Sequence, residues 1–263
     1  MQNESAILQA KDVTIRFGGL VAVSQFNLSI QPHELIGLIG PNGAGKTTVF
    51  NMLTGVYEPT GGEILIGGRP ARGMKPHQIT ARGVARTFQN IRLFRDLTVV
   101  ENVQIGGHVH YRYPVASAVL HTNRFREAED AAEREALRLL EIFDLRSRAH
   151  VSARNLPYGD QRRLEIARAL AARPRLLLLD EPAAGLNTGE TIALMRKIAE
   201  IRDRFGVAIL LIEHNMELVM GICERVIVLN YGRMIAEGTP AQIQKDPVVI
   251  EAYLGEPVAE ADL

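Results

Sequence analysis

The chain opens on short apolar runs broken by turn residues. Ile7–Leu8, Val13–Phe17, Val21–Ile30 and Glu34–Ile39 predict strands, and Gly18-Gly19 suits a hairpin turn. Pro59-Thr60-Gly61-Gly62 gives a second hairpin signal before Glu63–Ile66, which Gly67-Gly68 closes. These early strands read as antiparallel. From about Asp96 to Gly159 the period lengthens. Phe125, Ala128, Ala132, Leu139, Leu140 and Phe143 recur at helical spacing between Arg124 and Phe143, with Glu129, Glu133 and Arg134 on a solvated face. Tyr111-Arg112-Tyr113-Pro114 predicts a loop within this helical stretch. After Gly159, helices over Arg162–Ala172, Thr188–Arg204 and Met216–Ile222 alternate with strands at Leu176–Leu179, Val207–Ile212, Val226–Leu229 and Met234–Ala236. Such alternation predicts an α/β fold with a mostly parallel sheet. The whole chain reads as one domain: a core from 1–95 and 160–255, a helical subdomain at 96–159, and a flexible tail at 256–263.

Composition narrows the function. The chain has 263 residues, 46% of them apolar, enough for a sizeable core. Lys plus Arg and Asp plus Glu are both 30, so no global field points to nucleic acid as a partner. The one cysteine, Cys223, excludes an intrachain disulfide and fits a buried apolar position in a reducing compartment. The first residues lack a signal-peptide profile, and the longest apolar runs, such as Val207–Ile212, are too short to span a bilayer. A role at a membrane therefore requires docking on a spanning partner. Between Glu63 and Asp96 every charged residue is basic, including Arg69, Arg72, Lys75, Arg82, Arg86, Arg92 and Arg95, which reads as a docking surface for such a partner.

The chemistry is concentrated in Gly40-Pro41-Asn42-Gly43-Ala44-Gly45-Lys46-Thr47-Thr48, which matches G-x-x-x-x-G-K-[ST] between a strand and a helix. Glycine lets successive N–H groups converge on an anion, and the helix start adds unpaired donors and a positive dipole end. Lys46 is placed to reach the β- and γ-phosphates, and Thr47 to ligate Mg²⁺. Leu176–Leu179 ends in Asp180-Glu181-Pro182. A carboxylate at the end of a buried strand is placed for a Mg²⁺ ligand, Asp180, and its neighbour Glu181 for a general base toward water.

Leu156-Pro157-Tyr158-Gly159-Asp160-Gln161, followed by Arg162 to Leu170, resembles the signature motif of ABC ATPases and the basic helix after it. The resemblance covers residues 7 to about 240. It implies the P-loop ABC ATPase fold: a RecA-like core, an N-terminal antiparallel β-subdomain and an inserted helical subdomain. It also implies ATP and Mg²⁺ as cofactors, Phe17 as the aromatic on adenine, Gln89 as the residue that senses Mg²⁺ and water, and His214 as the γ-phosphate switch. Two cassettes would pair head to tail, with Gly159 and the helix behind it facing the ATP of a second ATPase subunit.

Two departures stand out. Pro157 and Tyr158 replace the usual serine and glycine, removing up to two donors, and Asp160 replaces glutamine and brings a negative charge to the helix start. Asn187 stands where aspartate is usual. The expectation is a signature that serves its partner's ATP site less well, so that Pro157→Ser with Tyr158→Gly changes the rate. Thr87 to Phe94, Ala183 to Asn187, Ile212 to Met220, Leu229 to Gly232 and Tyr253-Leu254-Gly255 further resemble the larger ATPase of branched-chain amino acid importers. That resemblance implies integral-membrane permease subunits, a periplasmic substrate-binding protein and a peripheral place on the cytoplasmic face of the inner membrane. Urea or amide importers and lipopolysaccharide export share many of these residues, and a soluble ABC-type ATPase not linked to transport is the alternative from another class.

Overall fold

A computed structural model describes residues 6–110 and 122–254. The predicted loop at Tyr111–Pro114 and the tail 256–263 lie outside the described residues. Strands β1 (Leu8–Phe17) and β2 (Leu20–Ile30) form the expected hairpin across Gly18-Gly19, with Phe17 opposite Leu20. β3 (Leu35–Ile39) does not join them, contrary to the antiparallel reading. All five of its residues are buried, as suits a central strand covered on both faces, and it pairs parallel to later strands. Helix α1 (Lys46–Leu53) follows directly.

β4 (Gly61–Ile66) returns to β1, with Leu8 opposite Ile66. The turn at Pro59–Gly62 is therefore not a hairpin: its strand's main neighbour lies far back in sequence. The local hairpin is at Gly67-Gly68, joining β4 to β5 (Arg69–Pro70). The first sheet runs β2-β1-β4-β5.

Helix α2 (Pro76–Ala81) and strand β6 (Val84–Arg86) lead to α3 (Val99–Gly107), α4 (Asn123–Ile142) and α5 (Tyr158–Ala171). Thr98 caps α3 through the N–H of Glu101 while the Glu101 carboxylate accepts from Thr98, a reciprocal cap that fixes the helix start. The apolar face read from sequence is the packed one: Ala132, Leu139, Leu140 and Phe143 are buried. Gly106 lets α3 and α5 approach closely, since a Cβ there would fall 2.1 Å from the Arg168 carbonyl. The division expected at 159/160 falls in the first turn of α5.

β7 (Leu176–Asp180), α6 (Thr188–Phe205), β8 (Ala208–Ile212), α7 (Met216–Ile222), β9 (Arg225–Asn230), β10 (Arg233–Gly238), α8 (Pro240–Ile243) and α9 (Pro247–Leu254) complete the described chain. The second sheet runs β10-β9-β3-β8-β7-β6, parallel apart from β10. Alternate residues of its strands feed two cores. Leu35, Leu177, Leu179, Ile209 and Leu211 pack toward α3, α5 and α6, while Ile36, Leu38, Leu176, Leu178 and Leu210 pack toward α1 and the first sheet. Cys223 is buried as expected, and burial pushes its thiol up to about 12. Among the described residues no helix is long and apolar enough to cross a membrane.

Candidate functional site

The carboxyl ends of β3, β7 and β8 lie side by side, and each is followed by a chemically loaded loop. After β3 the chain turns through Gly40, Gly43 and Gly45, with φ of 147°, 79° and 104°. At Gly40 the requirement is absolute: a Cβ would lie 2.0 Å from the Leu229 carbonyl oxygen. Gly45 precedes α1 and gives no side-chain cap, so the N–H groups of the first helical turn stay open to an anion. Pro41, Asn42 and Ala44 shape the turn, with the Ala44 N–H bonded to the Pro41 carbonyl at 3.2 Å. The Thr47 side of the turn is exposed and Thr48 half-buried.

Lys46 is 6% exposed and folds back over the turn, donating from Nζ to the carbonyls of Gly40 (2.6 Å) and Pro41 (3.0 Å). Burial lowers its pKa, and the nearby carboxylates of Glu181 and Asp180 oppose that shift. The lysine is thus held over the turn by two carbonyl acceptors that an anionic ligand can replace.

Asp180 ends β7 and is buried. Its Oδ2 accepts from Arg86 Nη2 at 2.7 Å, while Oδ1, also buried, accepts nothing among the described residues. Burial raises the Asp180 pKa, and the Arg86 guanidinium opposes the shift. A buried carboxylate oxygen left open at a strand end fits Mg²⁺, which takes one or two carboxylates and completes its shell from phosphate and water. The exposed Thr47 hydroxyl fits the same role.

Arg86 corrects the reading of the basic run as one docking face. Its side chain is 7% exposed, and it also donates to Asn51 Oδ1 at 2.6 Å. Arg82 donates to the Pro70 carbonyl, and Arg72 pairs with Glu58. Arg86→Met leaves Asp180 buried and unpaired. It should lower the unfolding free energy in urea by roughly 3–5 kcal/mol, whereas a loss below about 1 kcal/mol would show that the pair contributes no more than a surface one.

Glu181 takes φ of 48°, a left-handed conformation unfavourable for a side chain of this size, and its N–H is fixed by the Ile212 carbonyl at 2.9 Å. The result aims the carboxylate between two neighbours. Gln89 Nε2 donates to Oε2 at 3.0 Å, and His214 Nε2 lies 2.8 Å from Oε1. Three residues far apart in sequence thus meet. Sequence reasoning gave no role to Glu213, which is buried and accepts from the N–H groups of Ala183 (2.8 Å) and His214 (3.1 Å). It fastens the loop after Glu181 to the loop bearing His214. Its place between Ile212 and His214 was the available signal.

Phe17 sits at the tip of the β1–β2 hairpin, 45% exposed, edge-on to Tyr57 with ring centroids 5.3 Å apart. The hairpin's second strand reaches the phosphate turn: a Cβ on Gly45 would stand 3.0 Å from the Ala22 carbonyl oxygen. The turn itself contains no aromatic residue, and Tyr57 went unnoticed in the sequence.

Gly159 lies in the first turn of α5, against Glu190 and Leu186. Pro157 is the N-cap and contributes no side-chain hydrogen bond. Asp160, expected to bring a negative charge to the helix start, has that charge compensated. It is buried and ion-paired with both Arg148 and Arg163.

A glycine cradle, a buried lysine, a strand-end aspartate and a glutamate held by glutamine and histidine define a P-loop nucleotide hydrolase. The chain belongs to the ABC transporter family, whose profile matches residues 23–184, and it is an ATP hydrolase of the kind coupled to transport. A second profile, branched-chain amino acid ATP-binding cassette transporter, matches residues 233–259. The chain is 51% identical to the high-affinity branched-chain amino acid transport ATP-binding protein LivG of Escherichia coli, over 95% of this chain and 98% of that one. It is 50% identical to BraF of Pseudomonas aeruginosa over the same shares, and 36% identical to the lipopolysaccharide export protein LptB of Escherichia coli. The crystal structure of the ADP conformation of the cassette MJ1267 superposes with a TM-score of 0.82 at 28% identity, over 95% of this chain and 99% of that one. A dimeric cassette, MJ0796 with ADP and phosphate, superposes with a TM-score of 0.75 at 26% identity, over 89% of this chain and 98% of that one.

Proposed function

We propose that the chain is the ATP-hydrolysing subunit that powers a membrane importer of branched-chain amino acids. The observation that carries the substrate class is the near-full-length likeness to LivG and BraF, at 51% and 50% identity against 36% for LptB. In this reading adenine stacks on Phe17 beside Tyr57. The phosphates take the open N–H groups from Gly43 to Thr48, and Lys46 exchanges the Gly40 and Pro41 carbonyls for phosphate oxygens. Asp180, Thr47 and Gln89 would hold Mg²⁺, which neutralises phosphate charge when bound. Glu181 accepts the proton of the attacking water, with Gln89 orienting that water and His214 meeting the γ-phosphate.

The chain pairs head to tail with a second ATPase subunit whose nucleotide faces Gly159. It docks on permease subunits at the cytoplasmic face of the inner membrane, and a periplasmic binding protein delivers substrate to them. Vesicles holding the purified complex and the binding protein should take up labelled leucine, isoleucine or valine only with ATP on the side of this chain. Intact ATPase without uptake of any of the three would move the cargo to another class, lipopolysaccharide among them.

A further inference from the structure

Arg162 lies on the first turns of α5, is 3% exposed, and has no part in the site as described so far. Its guanidinium donates to three acceptors: the Phe88 carbonyl (3.1 Å), the Gln89 carbonyl (2.6 Å) and the Tyr158 hydroxyl (3.0 Å). One turn on, the buried Glu165 lies 3.6 Å from Arg162 and accepts from the N–H groups of Phe88 (3.4 Å) and Arg92 (3.3 Å). A cation and an anion at i, i+3 on one helix face therefore grip the carbonyls and the N–H groups of one loop. That loop carries Gln89, whose side chain reaches Glu181.

Tyr158 closes the circuit from the other side. A Cβ on Gly185 would lie 2.9 Å from the Tyr158 ring, so ring and loop are in contact. Gly185 is joined to Glu181 by a stiff turn, with Ala184 N–H bonded to the Glu181 carbonyl and Leu186 N–H to the Ala183 carbonyl, both at 3.1 Å. The path runs from Tyr158 through Arg162 to Gln89, across to Glu181, and back along the backbone to Gly185 and Tyr158.

We propose that Arg162, with Tyr158, is a positioning device for the Gln89–Glu181 pair, which makes the first turn of α5 a mechanical part of this chain's own hydrolytic site. The inference rests on the assignment of Glu181 and Gln89 above. On the same reading the first turn of α5 faces the partner's nucleotide, so that nucleotide sets the geometry around Glu181 through Tyr158. Tyrosine at this position is then a gained contact, and Tyr158→Gly should slow the enzyme.

The test is steady-state ATPase of the complex assembled with its membrane subunits, for Tyr158→Phe, Tyr158→Gly, Arg162→Lys, Arg162→Gln and the double variant Tyr158→Phe/Arg162→Gln. Tyr158→Phe keeps the ring and the fold and loses one hydroxyl. It should lower kcat about three- to tenfold with KM for ATP and the melting temperature unchanged. Tyr158→Gly should lower kcat further. Arg162→Gln should lower it on the order of 10–100-fold, with partial rescue in Arg162→Lys. In the Arg162→Gln background the Tyr158→Phe step should have no further effect, as expected for one shared path. A kcat for Tyr158→Phe or Tyr158→Gly at or above wild type, or strictly multiplicative losses in the double variant, would overturn the proposal. Glu181→Gln in the same assay separates the two failures. Full activity there sinks the assignment of the base, whereas a dead Glu181→Gln beside normal Tyr158 and Arg162 variants sinks only the positioning device.

Discussion

Replacing Glu181 with glutamine should abolish turnover while leaving ATP bound. The substitution keeps the size and the planar end of the side chain, so it can still sit between Gln89 and His214, which lie 3.0 and 2.8 Å from the two carboxylate oxygens. What it loses is the capacity to take a proton. General-base catalysis is typically worth on the order of 10²–10⁴ in rate, and kcat should fall by about that factor. On the proposed assignment the nucleotide is held elsewhere, by the glycine turn and Lys46, so its affinity should stay within about threefold of wild type. The left-handed backbone at Glu181, φ 48°, is set by the Ile212 carbonyl and persists in the variant. Undiminished turnover would show that another group is the base.

Lys46→Ala should fail one step earlier. Lys46 is the buried cation of the cradle, and its Nζ lies on the carbonyls that line the turn. Alanine leaves the phosphates with N–H donors but no counter-charge. Removing one partner of a desolvated charge pair costs about 2–5 kcal/mol, which is a roughly 30-fold or greater loss of ATP affinity. Equilibrium binding of a fluorescent ATP analogue measures it directly. Binding retained at the wild-type level would place the phosphates away from this turn. The two variants are thus separable: Glu181→Gln binds and does not turn over, and Lys46→Ala does not bind.

The meeting of the phosphate turn, Asp180-Glu181 and His214 was legible because each follows a strand, and parallel strands bring their carboxyl ends together. Leu35–Ile39, Leu176–Leu179 and Ala208–Ile212 announce themselves as runs without a polar side chain, so the loops after them had to meet. Pairing partners were less legible. Nothing local tells β4 to lie beside β1 rather than to form a hairpin at Pro59–Gly62, because that choice is made by burial of Leu8 and Ile66 in a shared core.

The supporting charges were the least legible. Arg86 looked like one of a basic series and is instead buried on Asp180. Arg162 and Glu165, which the sequence places only in a basic helix, grip the loop of Gln89. Asp160 reads in the sequence as a negative charge at the helix start and is ion-paired with Arg148 and Arg163. Charge in a sequence gives no direction in space, and these side chains take theirs from tertiary packing.

The measurement that bears most directly on the whole account is the identity of the nucleotide retained by the Glu181→Gln complex after incubation with Mg²⁺ and ATP. Separation of the bound nucleotide by chromatography should recover ATP in an associated pair of cassettes. Recovery of ADP, or of a pair that falls apart at the wild-type rate, would contradict the assignment of Glu181 as the base that ends the ATP-bound state.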